Sequence, residues 1–197
     1  MSAKVRRRVT LRTGRKPVQM SQVPVPLFVC HANCCRSVLA YYLYRHLAGD
    51  APALSAGFEP GEQINDRALA MLAEWGLDAR RHQPQRLNRG LCDEASAIFL
   101  MAPAYVHRLL LEYGEDLTSK AYLFADPFTQ PQSFSHGEYK VRDPSFDERP
   151  SWELVREFAW VREQVLQIRL ALLADGRPMV RAADYLGLVK SVDPGSH

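Results

Sequence analysis

Cys30 and Arg36 are separated by five residues, His31-Ala32-Asn33-Cys34-Cys35, and Ser37 follows at once. Thiolate is the nucleophilic form of cysteine, and nearby positive charge favours it. A guanidinium can hold two oxygens of a tetrahedral anion in a paired contact. Ser37 carries a hydroxyl that can donate to the sulfur, both when it attacks and when it leaves. Together these residue types suit transfer of a phosphoryl group to sulfur. A cysteine and an arginine at this spacing are a weak signal alone, so the surrounding elements decide its weight.

Those elements read clearly. Val25-Pro26-Leu27-Phe28-Val29 is an apolar run that leads into the short polar or small residues of the loop. Leu39, Tyr42, Leu43 and Leu47 then recur at helical spacing before Gly49. The pattern predicts a buried strand, a tight loop and a helix. A loop at a strand's carboxyl end and a helix's amino end offers backbone N–H groups and partial positive charge to an oxyanion. His31, Ala32, Asn33, Cys34, Cys35 and Arg36 are therefore the expected phosphate-binding residues, with Cys30 at the mouth. The bland alternative is a buried strand cysteine with a surface arginine.

The rest of the chain alternates in the same way. Ala53–Gly57 reads as a second strand, and Asn65 caps a helix carrying Ala68, Leu69, Leu72 and Trp75 that Gly76 stops. A polar stretch with His82 and Leu87 leads to a third strand, Ala97–Met101. Pro103 suits the first turn of a helix with Val106, Leu109, Leu110 and Tyr113. Lys120–Phe124 is a fourth strand, and a long loop runs from Ala125 to Pro150. Ser151 caps a last helix with Leu154, Phe158, Val161, Val165, Ile168 and Leu172 on one face, ended by Gly176 and Pro178. The expected fold is α/β, a single domain with a doubly wound parallel four-stranded sheet and helices on both faces. Ligands of such sheets bind beyond the strand carboxyl ends at the topological switch point, where the Cys30 loop would lie.

Charge is unevenly placed. Seven cations and no acids fall within residues 1–20, so removing them turns the formal +3 into −4 for the remainder. Residues 1–24 are read as a basic, disordered arm, 25–175 as the domain and 176–197 as a tail. The arm is suited to contact an acidic partner, and no nucleic-acid site is assigned. No apolar run is long enough for a membrane span, and the start lacks the apolar core of a secretory signal. The four cysteines, three of them within six residues, do not make a disulfide framework, which points to a reducing, cytoplasmic setting. No Cys/His spacing resembles a metal site, and no cofactor is implied.

Val29-Cys30-His31-Ala32-Asn33-Cys34-Cys35-Arg36-Ser37 resembles the signature of the low-molecular-weight protein tyrosine phosphatase family, usually Val-Cys-x-Gly-Asn-x-Cys-Arg-Ser-Pro. Ala32 stands where the glycine is usual and Val38 where the proline is usual. The resemblance extends through Ser55-Ala56-Gly57, His82 and two Asp-Pro pairs, Asp126-Pro127 and Asp143-Pro144. It implies a phosphatase acting on phosphotyrosine, in a phosphorylated protein or a small aryl phosphate, with Cys30 as nucleophile and Arg36 as anion clamp. Asp143 matches the family's general acid in position, before the last helix. The family holds its loop asparagine with a serine and a distant histidine, which implies supporting roles for Asn33, Ser55 and His82. Cys35 has a counterpart that traps the oxidised nucleophile as a disulfide, a redox role. Phe58 and Phe146 are expected to wall the substrate groove against an aromatic ring. Met101-Ala102 departs from the usual Met-Asp. Two alternatives stand beside this one. Ser-Ala-Gly-Phe-Glu-Pro followed by Asn-Asp-Arg-Ala is also similar to thiol-coupled arsenate reductases of the same fold. A weakly active anion-binding module is the third.

Overall fold

The computed structural model describes residues 24–124 and 159–173. The expected long loop, the basic arm, the tail, and the start of the last helix at Ser151, Leu154 and Phe158 lie outside the described residues. Four strands form one sheet: β1 (Pro26–Cys30), β2 (Leu54–Gly57), β3 (Ala97–Leu100) and β4 (Ala121–Leu123). The order is β2-β1-β3-β4, and every neighbouring pair is parallel. All five residues of β1 are buried, as a central strand covered on both faces requires. Pro26, which cannot donate to a ladder, takes the first position of that strand.

Helices α1 (Arg36–Leu47), α2 (Asp66–Glu74), α3 (Arg89–Glu94), α4 (Ala104–Tyr113) and α5 (Ala159–Leu173) cover the sheet. Side chains alternate across each strand, so two cores form. Phe28, Cys30 and Phe99 face α1, α2 and α5, while Leu27, Val29, Ile98 and Leu100 face α3 and α4. Val161, Val165 and Ile168 of α5 are buried at the expected helical spacing. Asn65 caps α2 by accepting from the Arg67 N–H at 3.0 Å.

Two elements were not expected. Helix α3 forms inside the polar stretch, where Asn88 accepts from the Leu91 N–H at 3.0 Å and Cys92 is fully buried. Burial pushes the Cys92 thiol up to about 11. A 3₁₀ turn, Glu115–Lys120, precedes β4. Arg89 joins the two, meeting the Tyr113 carbonyl at 2.6 Å and the Asp116 carboxylate at 2.6 and 3.0 Å. Pro103 caps α4 from just outside, one position earlier than expected.

The chain leaves β1 toward β2 on one side and returns to β3 on the other. The crevice between the carboxyl ends of β1 and β3 is therefore the switch point. Phe28 anchors the core beneath it, with ring centroids of Phe99, Tyr44 and Phe124 at 5.6, 5.9 and 6.0 Å. Phe28→Ala should cost about 3–5 kcal/mol in urea unfolding. Leu111→Ala, at a side chain 87% exposed, should cost less than about 0.5 kcal/mol.

Candidate active site

Residues 31–35 turn between the end of β1 and the start of α1. Their carbonyls are held from outside the loop. The N–H groups of Phe58, Glu59 and Gly61 reach the carbonyls of Cys30, His31 and Ala32 at 3.4, 3.0 and 2.9 Å. His82 Nε2 donates to the Asn33 carbonyl at 3.2 Å, and the Asn65 N–H to that of Cys34 at 2.9 Å. The Cys35 carbonyl accepts from Leu39 within the helix at 2.9 Å. The described peptides are all trans, and the C=O and N–H of a trans peptide point in opposite directions. Carbonyls turned outward therefore turn the N–H groups of residues 31–36 inward. Such a nest, ending in a helix amino terminus, can hold an oxyanion.

Gly57 makes this possible. A Cβ there would lie 2.5 Å from the His31 carbonyl oxygen and 2.6 Å from the Asn33 nitrogen. The close approach leaves no room for any side chain. Ala32 keeps a negative φ, so the methyl in place of the usual glycine fits without backbone strain. Asn33 is the residue that takes the left-handed conformation, at φ 53°.

Asn33 is fully buried and its amide is committed at both ends. Its oxygen accepts from the Gln85 N–H at 3.0 Å, and its nitrogen donates to Ser37 Oγ at 2.9 Å. Ser37 Oγ lies 3.0 Å from Cys30 Sγ. Ser37 Oγ accepts from Asn33 and keeps its own proton available for the sulfur. A charged sulfur takes such a bond more strongly than a neutral one. Arg36 opens α1, is 5% exposed, and donates from Nη2 to Tyr105 Oη at 3.4 Å.

The structure brings Cys30, Asn33, Arg36, Ser37 and His82 together. His82 packs near the rings of Tyr41 and Tyr42, and burial lowers its pKa below the usual 6.5, opposed by the Asn33 carbonyl. Ser55 is buried beside β1, but the Asn33 amide bonds Gln85 and Ser37 instead. Ser55 takes part through its carbonyl, which accepts from Gln85 Nε2 at 2.9 Å. Cys35 is buried at the amino end of α1. Cys34 donates to the Ala32 carbonyl at 3.2 Å and leans on Gly61, where a Cβ would meet its sulfur at 2.5 Å. His31 is exposed at the rim, 3.7 Å from Glu59.

Phe58 is a correction. It is fully buried rather than lining a groove, with Tyr105 and Tyr113 at 5.4 and 6.4 Å and the Arg108 guanidinium 4.8 Å from its ring centre. Phe146, Asp143 and the competing Asp126 lie outside the described residues. Gln85 and Tyr105 are the site residues the sequence did not reveal. Gln85 sits in a polar stretch with no pattern to mark it. Tyr105 could have been suspected from its place just beyond the third strand. Among the described residues, no three His, Cys, Asp or Glu side chains could hold a metal ion.

Two outcomes follow from this geometry. Gly57→Ala should push the loop backbone away and weaken inorganic phosphate binding by on the order of tenfold to a hundredfold; unchanged affinity would show that the loop does not rest on Gly57. His82 is held neutral by burial, so its contribution to stability is complete above its unfolded pKa near 6.5 and falls as pH drops toward the lower folded value. Unfolding at pH 7 and pH 5 should show a smaller drop in His82→Gln than in the wild type.

A family model, low molecular weight phosphotyrosine protein phosphatase, matches residues 26–174. The probable low molecular weight protein-tyrosine-phosphatase EpsP of Ralstonia solanacearum is 32% identical over 80 residues, 40% of this chain and 55% of that protein. The chain thus spans about half the length of the curated relatives it matches. Vibrio vulnificus Wzb, solved in complex with benzylphosphonate, aligns at a TM-score of 0.61 and 21% identity, over 75% of this chain and 97% of that one. A YwlE mutant from Bacillus subtilis aligns at 0.63 and 20% identity, over 77% and 99%. These structures share the fold. With the family match running from the first strand through the loop to the last helix, the chain belongs to the low molecular weight phosphotyrosine protein phosphatase family.

Proposed function

We propose that this protein hydrolyses phosphotyrosine or a related aryl phosphate monoester through a cysteinyl-phosphate intermediate. The observation that carries the reading is the ring of outward carbonyls around Cys30, which aims the N–H groups of residues 31–36 at one point. Those groups and Arg36 hold the three non-bridging oxygens of the phosphoryl group. Cys30 Sγ attacks phosphorus as the bond to the leaving phenolic oxygen breaks. Asp143 gives its proton to that oxygen. Water then attacks phosphorus, Asp143 takes the water proton, and the phosphorus–sulfur bond breaks to return the thiolate. Ser37 donates to the sulfur as it leaves. That a protein of the same fold was solved with benzylphosphonate supports an aromatic substrate, because that molecule joins a ring to a phosphorus oxyanion. Family membership supports phosphorylated protein as the substrate class.

Cys30→Ser should abolish aryl phosphate turnover while inorganic phosphate still binds, because a hydroxyl at this position is a far weaker nucleophile. Turnover surviving in that variant would remove Cys30 from the chemistry. Asp143→Ala should slow a poor leaving group by on the order of 10²–10⁴, and Asp126→Ala should not. An enzyme slowed by Asp126→Ala instead would reassign the acid. Reduction of arsenate with an added thiol system, in place of phosphate ester hydrolysis, would favour the reductase alternative.

A further inference from the structure

Tyr105 is the second residue of α4, directly beyond the carboxyl end of β3. Among the described residues it is the one partly buried apolar side chain that packs against both cores. The cores lie on opposite faces of the sheet. A ring that touches both must lie over the sheet's end, and this is the end that carries the Cys30 loop. Fully buried Phe58 backs the ring at 5.4 Å with an interplanar angle of 41°. The hydroxyl accepts from Arg36 Nη2 at 3.4 Å.

We propose that Tyr105 is a positioning residue for Arg36, fixing the guanidinium for its paired contact with two substrate oxygens. The proposal rests on the reading of the loop as an oxyanion site. Arginine has a long, flexible side chain, and ordering it when an anion binds costs entropy. A side chain ordered beforehand avoids that cost. Tyrosine suits the task because it has few torsions and a rigid ring, and here Phe58 restrains the ring from behind. The contact is long, and hydrogen bonds of this kind tighten in complexes. Tyr105 meets the guanidinium at Nη2, one of several N–H donors in a planar fork whose geometry matches paired oxygens. Ala102 and Pro103, which precede Tyr105 and are closer to the strand end, carry no polar side-chain atom to do this work.

The test removes the hydroxyl and keeps the ring. Inorganic phosphate is the probe, its dissociation constant is read by calorimetry on the full chain, and melting temperature is measured in parallel. Tyr105→Phe should weaken phosphate binding about threefold to tenfold. The melting temperature should stay within about 2 °C of the wild type. In an Arg36→Lys background, which keeps the charge and loses the fork, the same substitution should change affinity less than about twofold. Unchanged affinity in Tyr105→Phe overturns the proposal, as does an equal loss in both backgrounds. A lower melting temperature with unchanged affinity would mean that the hydroxyl serves packing alone. Wild-type protein that binds phosphate yet turns over no aryl phosphate would count against the phosphatase reading only, since the Tyr105 test reads binding. Wild-type protein that binds no phosphate would sink both.

Discussion

The structure depends on a single constraint, that the carbonyls of the loop after β1 be turned away from its centre. A short loop with every amide facing one point leaves its carbonyls needing partners elsewhere, and a buried carbonyl without one is costly. The segment after β2 supplies three of those partners in sequence, from Phe58, Glu59 and Gly61. It can do so only because β2 runs parallel to β1 in a register that sets Cys30 opposite Gly57. That pairing carries the following residues past the loop at hydrogen-bond distance. The glycine is then a consequence of the spacing, because the backbones come too close for a Cβ. Sheet register, glycine and oxyanion cradle are one arrangement seen at three scales.

The polar side chains beneath the loop extend the same logic inward. Asn33 and Ser37 have no solvent to fall back on, since both are fully buried. Each must therefore be satisfied by geometry, and the chain Gln85–Asn33–Ser37–Cys30 does this in one line. A buried network of this kind is rigid when complete and costly when broken. Its last member is the sulfur, so the scaffold's need to satisfy Asn33 also fixes the place of the hydroxyl beside Cys30. Cys30 sits in the same core as Phe28, one pleat further along β1, so packing holds its other side.

What the sequence made legible was local. The apolar run, the loop and α1 are contiguous, so their order in the chain is their order in space. The alternation of strands and helices gave the parallel sheet for the same reason. Helix α3 was not legible because Arg89-Gly90-Leu91-Cys92-Asp93-Glu94 contains a glycine and is too short to show a period. It is held by distant partners: Asp116 accepts from Arg89, and Lys120 donates to the carbonyls of Asp93 and Ala95. Gln85 was invisible because it acts chiefly through its backbone N–H, which every residue but proline possesses. The Phe58 expectation failed for a reason that was present in the sequence. Ala56 and Phe58 differ by two positions, and the strand period places them on one side. Both lie in the core under α3 and α4. An aromatic that continues the pleat of a buried strand points inward, whatever lies near it along the chain.

The rim raises a separate electrostatic question, because Glu59 stands beside a loop suited to dianions. A bare carboxylate there would repel them. Arg108 reaches Glu59 at 2.7 Å and is itself fixed over the Phe58 ring, with a second carboxylate, Glu112, on its other edge. The Arg108 guanidinium holds the Glu59 carboxyl below its usual range, with a smaller contribution from His31. Exposed pairs of this kind add little to stability. Their effect here is on the field. Arg108 offsets part of the Glu59 charge at short range while sharing its guanidinium with Glu112. Buried Phe58 thus does two things at once: its ring backs Tyr105, and it gives the Arg108 guanidinium a surface to rest on. An aromatic residue that never meets a ligand can still set the charge and shape of the entrance.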